Sequence, residues 1–112
     1  MQAEVSQTSL TLRDTTGAGW AFTTSVPARA FAFSSAEWIA EGPTKTLTDF
    51  GTVGFSSATA SANGVTDGTI DNSAWSHDAI TMVARGGHNA AVRAIPSSLT
   101  SGSAFTVAWQ HN

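Results

Sequence analysis

Short runs of alternating apolar and polar residues, each closed within a few positions by Gly, Pro or an Asn-Gly or Asp-Gly pair, constrain this chain more than any other feature. Ser9-Leu10-Thr11-Leu12-Arg13 alternates at period two, Asp14-Thr15-Thr16-Gly17 supplies turn residues, and Trp20-Ala21-Phe22-Thr23-Thr24 alternates again. That pattern predicts a hairpin. After Pro27, Ala30-Phe31-Ala32-Phe33 is an apolar run. Ala36-Glu37-Trp38-Ile39-Ala40-Glu41 follows as a predicted strand, ended by Gly42-Pro43. In Asp49-Phe50-Gly51-Thr52-Val53-Gly54-Phe55 the glycines predict a bulge or a close backbone approach. Ser56 to Gly68 is small and polar, with Asn63-Gly64 and Asp67-Gly68 as turn dipeptides. Ala79 to Ala84, a Gly86-Gly87 turn, Ala90 to Ala94, a break at Pro96 and a last strand Ala104 to Trp109 complete the pattern.

About seven or eight short strands at this spacing predict an all-β fold, an antiparallel β-sandwich or barrel, over residues 1–112 as a single domain or half-domain. A chain of 112 residues suffices for one core, although a domain of this size buries only about two-thirds of its unfolded surface. Composition agrees with strands. Hydrophobic residues make up 41% and charged residues 12%, whereas long amphipathic helices draw more heavily on Glu, Lys, Arg and Leu.

The net charge of −3 leaves no basic stripe to neutralise phosphates, so no nucleic acid is expected as a partner. No stretch approaches the ~20 apolar residues of a membrane span, so no membrane partner is expected either. Met1-Gln2-Ala3-Glu4 resembles neither part of a signal peptide, so such a peptide is expected either to belong to a longer precursor or to be absent. The absence of Cys excludes disulfides, thiolate metal sites and a cysteine nucleophile. His77, His88 and His111 lack ligand spacing, and His77-Asp78 reads as a turn or cap. No metal and no cofactor is expected. Of the four tryptophans, Trp20, Trp38 and Trp109 fall at strand positions, which favours core packing over a stacking groove.

The chemically suggestive segment is Ala36 to Glu41. Because side chains alternate along a strand, Glu37, Ile39 and Glu41 face one way and Ala36, Trp38 and Ala40 the other. A plain solvated face accommodates two glutamates at no cost. However, Ile39 lies between them, and two of the three Glu in the whole chain fall in this one apolar run. A carboxylate half-buried beside an apolar neighbour would be suited to general acid or base work in mildly acid solution.

Ser35-Ala36-Glu37-Trp38-Ile39-Ala40-Glu41-Gly42-Pro43, followed by Leu47-Thr48-Asp49-Phe50-Gly51-Thr52-Val53-Gly54-Phe55, resembles the C-terminal half of the eqolisin (G1) glutamic peptidases. That family carries an Ala-Glu-Trp/Phe-Ile-x-Glu strand, then a strand entered through Phe-Gly-x-Val-x-Phe. Leu10 to Gly17 is similar to the family's hairpin with a Thr-Thr-Gly turn, and the lack of Cys is similar to its bacterial type. The resemblance implies a β-sandwich of two curved antiparallel sheets and a secreted, extracellular hydrolase cleaving a polypeptide substrate at acid pH. It implies that Glu41 is the catalytic general base, with Glu37 and Trp38 as supporting neighbours. The family's catalytic Gln lies in an N-terminal half, in a Leu-Gln-x-Gly setting. Gln2, Gln7 and Gln110 are the only glutamines here and none has that setting. The chain alone is therefore expected to be weakly active or inactive, and to pair as a homodimer or with a complementary N-terminal chain. Two other readings of the residues stand beside this one. The first is a non-catalytic β-sandwich that binds or supports. The second is a laminarinase-like glycosidase or lectin, in which Glu37 and Glu41 would be the carboxylate pair and Ile39 replaces the expected middle Asp.

Overall fold

A computed structural model of the chain describes residues 1–5, 9–25, 34–42, 46–86 and 90–111. It is all-β and antiparallel, with no helix among the described residues, as the sequence pattern predicts for a sandwich-class fold. The chain forms two compact units, Met1–Ala36 and Glu37–Asn112.

The first unit is a three-stranded sheet of β1 (Gln2–Val5), β2 (Ser9–Asp14) and β3 (Trp20–Ser25), in the order β1-β2-β3. The predicted hairpin forms in unbroken register from Ser9↔Ser25 to Asp14↔Trp20. Its loop is closed by Asp14, whose Oδ1 accepts hydrogen bonds from the Thr16 hydroxyl at 2.7 Å and the Thr16 N–H at 2.9 Å. These two bonds, the hydroxyl's first, hold the Asp14 carboxyl below its ordinary 3.8. Gly19 takes φ 65, where a Cβ would stand 2.9 Å from the Asp14 carbonyl oxygen. β1, which the sequence pattern does not single out, adds to the far edge of β2. Trp20 does not pack into a core as expected: it is 48% exposed, and every residue of β3 is exposed. The apolar run Ala30 to Phe33 lies outside the described residues.

The second unit contains a four-stranded sheet, in the order β4-β9-β8-β7, and a separate hairpin of β5 and β6. β4 is Thr52–Phe55, β7 Met82–Val83, β8 Val92–Pro96 and β9 Phe105–Trp109. The predicted bulge in the Asp49 to Phe55 stretch does not form, since β4 and β9 pair without a register shift. The close approach fails too: a Cβ at Gly51 or Gly54 would meet nothing within 4 Å. Gly51 instead takes φ 66 as the chain turns into the strand. Its N–H donates to Asp49 Oδ1 at 2.8 Å and its carbonyl accepts from Trp109 N–H at 2.8 Å. Ala79 to Ala84 contributes only Met82–Val83 to the sheet, and Ile80 is 81% exposed. Gly86 lies at φ 128, while Gly87 lies outside the described residues.

Direct pairing puts Val53 opposite Val107, Phe55 opposite Phe105, and Ala94 opposite both Trp109 and Met82. These residues therefore share one face. On it lies the core, in which Leu47, Ala94 and Val107 are buried and Ala40, Phe50, Phe55, Met82, Phe105 and Trp109 pack around them. Trp109 is anchored there as predicted, its Nε1 donating to the Leu47 carbonyl at 3.1 Å.

The small polar stretch after β4 is itself a hairpin, β5 (Thr59–Ala62) and β6 (Val65–Thr69). Asn63 at φ 53 and Gly64 at φ 80 form the two-residue turn. Asp67-Gly68, the second predicted turn, instead lies inside β6, where the register shifts between Ala60 and Ala62. Asp67 takes φ 50 and its N–H donates to Ser61 Oγ at 2.9 Å. Gly68 leaves room for the Trp75 ring, whose Cη2 would stand 2.6 Å from a Cβ at that position. Trp75 Nε1 donates to the carbonyls of Thr69 and Ile70.

Candidate functional site

The predicted strand Ala36 to Glu41 is not part of any sheet: residues 34–42 form no ladder with a described residue. What remains of the expectation is its alternation. Trp38, Ala40 and Gly42 are half-buried, whereas Glu37, Ile39 and Glu41 are exposed, Ile39 at 57%. Ala40 fixes the segment by packing on the Leu47, Ala94 and Val107 cluster. Gly42 fits against Leu47, whose Cδ1 would lie 3.3 Å from a Cβ there. One side of the segment rests on the core and the other carries the two carboxylates.

Both glutamates are thus exposed, not half-buried as the argument for acid-base work supposed. Neither has a hydrogen-bond or ion-pair partner among the described residues. Trp38 is half-buried on the opposite side of the segment from the two glutamates.

His77 is exposed, and the neighbouring Asp78 accepts the Ala79 N–H through Oδ1 at 2.9 Å, the local turn contact expected there. Gln110 is exposed at the end of β9, and Gln7 lies outside the described residues.

Sequence reasoning missed an aromatic pair. Phe55 and Phe105 stack with centroids 4.9 Å apart and planes 13° from parallel. They line an open depression of about 380 Å³ with Gly54, Ser56, Ser97 and Thr100, and neither Glu37 nor Glu41 reaches it. Each Phe was visible at the end of a predicted strand. Their meeting depends on the β4·β9 register, which neither run specifies by itself.

The profile of the Peptidase A4 family matches residues 2–109. The chain belongs to that family. This is the glutamic peptidase family that the motifs around Glu37 and Glu41 resemble, and membership extends the relation over both compact units. No curated protein matches the chain, and no solved structure does.

Proposed function

We propose that this Peptidase A4 member is the C-terminal, bacterial-type half of a secreted endopeptidase that cleaves polypeptides at acid pH, with Glu41 as general base. The observation that carries the reading is the presentation of the carboxylate. Glu41 stands exposed on one side of an extended segment whose other side is seated on the core through Ala40. In this mechanism Glu41 takes a proton from water as the water oxygen attacks the scissile carbonyl, and then returns it to the leaving amine. The tetrahedral oxyanion needs a donor, which the family supplies from a Gln that this chain has no counterpart for. Activity of the chain alone is accordingly weak or absent, and a complementary Gln-bearing chain restores it.

Ile39 in the place of the expected middle Asp counts against the glycosidase reading, because it removes the group that tunes the nucleophile of such a pair. The decisive assay offers a protein substrate and a β-glucan at acid pH to the wild type and to Glu37→Gln and Glu41→Gln, each with and without the Gln-bearing half of another family member. Proteolysis that appears with the added half and disappears in Glu41→Gln supports the proposal. Loss only in Glu37→Gln would transfer the role to Glu37. Glucan cleavage lost in both variants would replace the peptidase reading, and silence on both substrates would leave a binding domain.

A further inference from the structure

Among the described residues of the second unit, the one extended segment outside its sheets that packs on the apolar face of the β4-β9-β8-β7 sheet through Ala40 is Glu37–Gly42. Ala40 seats Glu37–Gly42 on the buried cluster, yet no backbone hydrogen bond links this segment to a described residue. Both of its edges therefore carry N–H and C=O groups that no described residue matches, a template for strand addition. The face beneath is also incompletely covered. Val53, which lies directly opposite the buried Val107, remains 37% exposed, and Phe55, Phe105 and Trp109 are half-buried.

We propose that Glu37–Gly42 receives a β-strand from a second polypeptide whose alternate side chains are apolar on one face and basic on the other. Backbone pairing with the open edge gives the incoming strand its affinity. Its apolar residues turn inward with Trp38 and Ala40 and extend the cover over Val53. Its basic residues turn outward beside Glu37 and Glu41, whose carboxylates have no counter-charge among the described residues. A second copy of this chain fits less well. The two-fold antiparallel register that pairs most of the segment is centred on Ile39 and sets Glu37 opposite Glu41 twice, so like charges face each other. A net charge of −3 on each chain adds to that repulsion. The proposal does not depend on Glu41 acting on a peptide bond.

The test is a binding measurement on the whole chain at neutral pH and low salt, without a hydrolysis readout. The probe is a synthetic peptide of alternating Lys and Val, compared with a Glu and Val alternation and with a block arrangement of the same Lys and Val residues. The alternating Lys and Val peptide is expected to bind and to slow amide exchange across residues 37–42, while the other two do not. N-methylation at every second peptide amide should abolish binding with the protein untouched. The double change Glu37→Gln and Glu41→Gln should weaken binding by about 2- to 30-fold, the loss expected for two cross-strand ion pairs. Equal binding of the Glu and Val peptide, unchanged exchange at 37–42, or self-association of the chain protecting those amides without peptide would overturn the proposal.

Discussion

Two stretches of the second unit, Glu37–Gly42 and Thr52–Phe55, are of similar length and read alike as short apolar strands, but only one is in a sheet. Thr52–Phe55 pairs residue for residue with β9. Glu37–Gly42 pairs with no described residue, yet shows the cleaner alternation of exposed and half-buried side chains. Ladder and burial are thus separable. Contact with a core on one side suffices to impose period two, because an extended backbone turns every second side chain the same way. The hydrogen bonds of a strand need a neighbour, and for Glu37–Gly42 no described residue is that neighbour.

The comparison breaks most readily at Leu47. This side chain is 4% exposed, lies in the cluster that seats Ala40 and approaches Gly42. Leu47→Ala is expected to cost about 2–5 kcal/mol in urea unfolding. It should also speed proteolytic cleavage within 37–42 far more than within 52–55, which keeps its ladder. Equal acceleration in both stretches would mean that packing on Leu47 is not what holds the unpaired segment. A smaller effect is expected from Trp109→Phe, which keeps an aromatic ring against the cluster but gives up part of the indole's packing together with the Nε1 donor to the Leu47 carbonyl. Loss of that bond should cost about 0.5–1.5 kcal/mol and leave the Trp109 N–H to Gly51 bond at the start of β4 in place.

Features fixed by nearby atoms were legible in the sequence. The Asp14 turn and the Asn63-Gly64 turn need only their own residues; the first closes the predicted hairpin, whereas the strands β5 and β6 flanking the second were not singled out by the pattern. Asp67-Gly68 shows the limit of such signals. Left-handed backbone at Asp67 serves a bulge as well as a turn, and what decides between them is the Trp75 ring against Gly68, several residues further on. Partner-dependent features were not legible. Trp20 alternates as a strand residue should, but alternation does not say whether its face is covered. β1 forms because β2 offers an edge to a stretch with little strand signal of its own. At the candidate site, the common side of Glu37 and Glu41 was readable from spacing, whereas their exposure and the missing ladder to any described residue were not.

The smallest expected effect concerns those two glutamates, and it bears directly on what the unpaired segment is for. Each is exposed, and neither has a partner among the described residues, so replacing a carboxylate with the isosteric amide removes no contact within the described chain. Glu37→Gln and Glu41→Gln should each change unfolding free energy by no more than about 0.5 kcal/mol, and the double variant should change it by the sum. Surface carboxylates that hold a fold together would behave otherwise, since the loss of coupled ion pairs is non-additive. If urea midpoints stay put in all three variants while peptide cleavage or strand uptake changes, the face belongs to function and the opposite face, through Ala40 and Trp38, to stability. If a midpoint instead falls by a kcal/mol or more, Glu37–Gly42 is held by its carboxylates as well as by Ala40, and the division between a seated side and a working side fails.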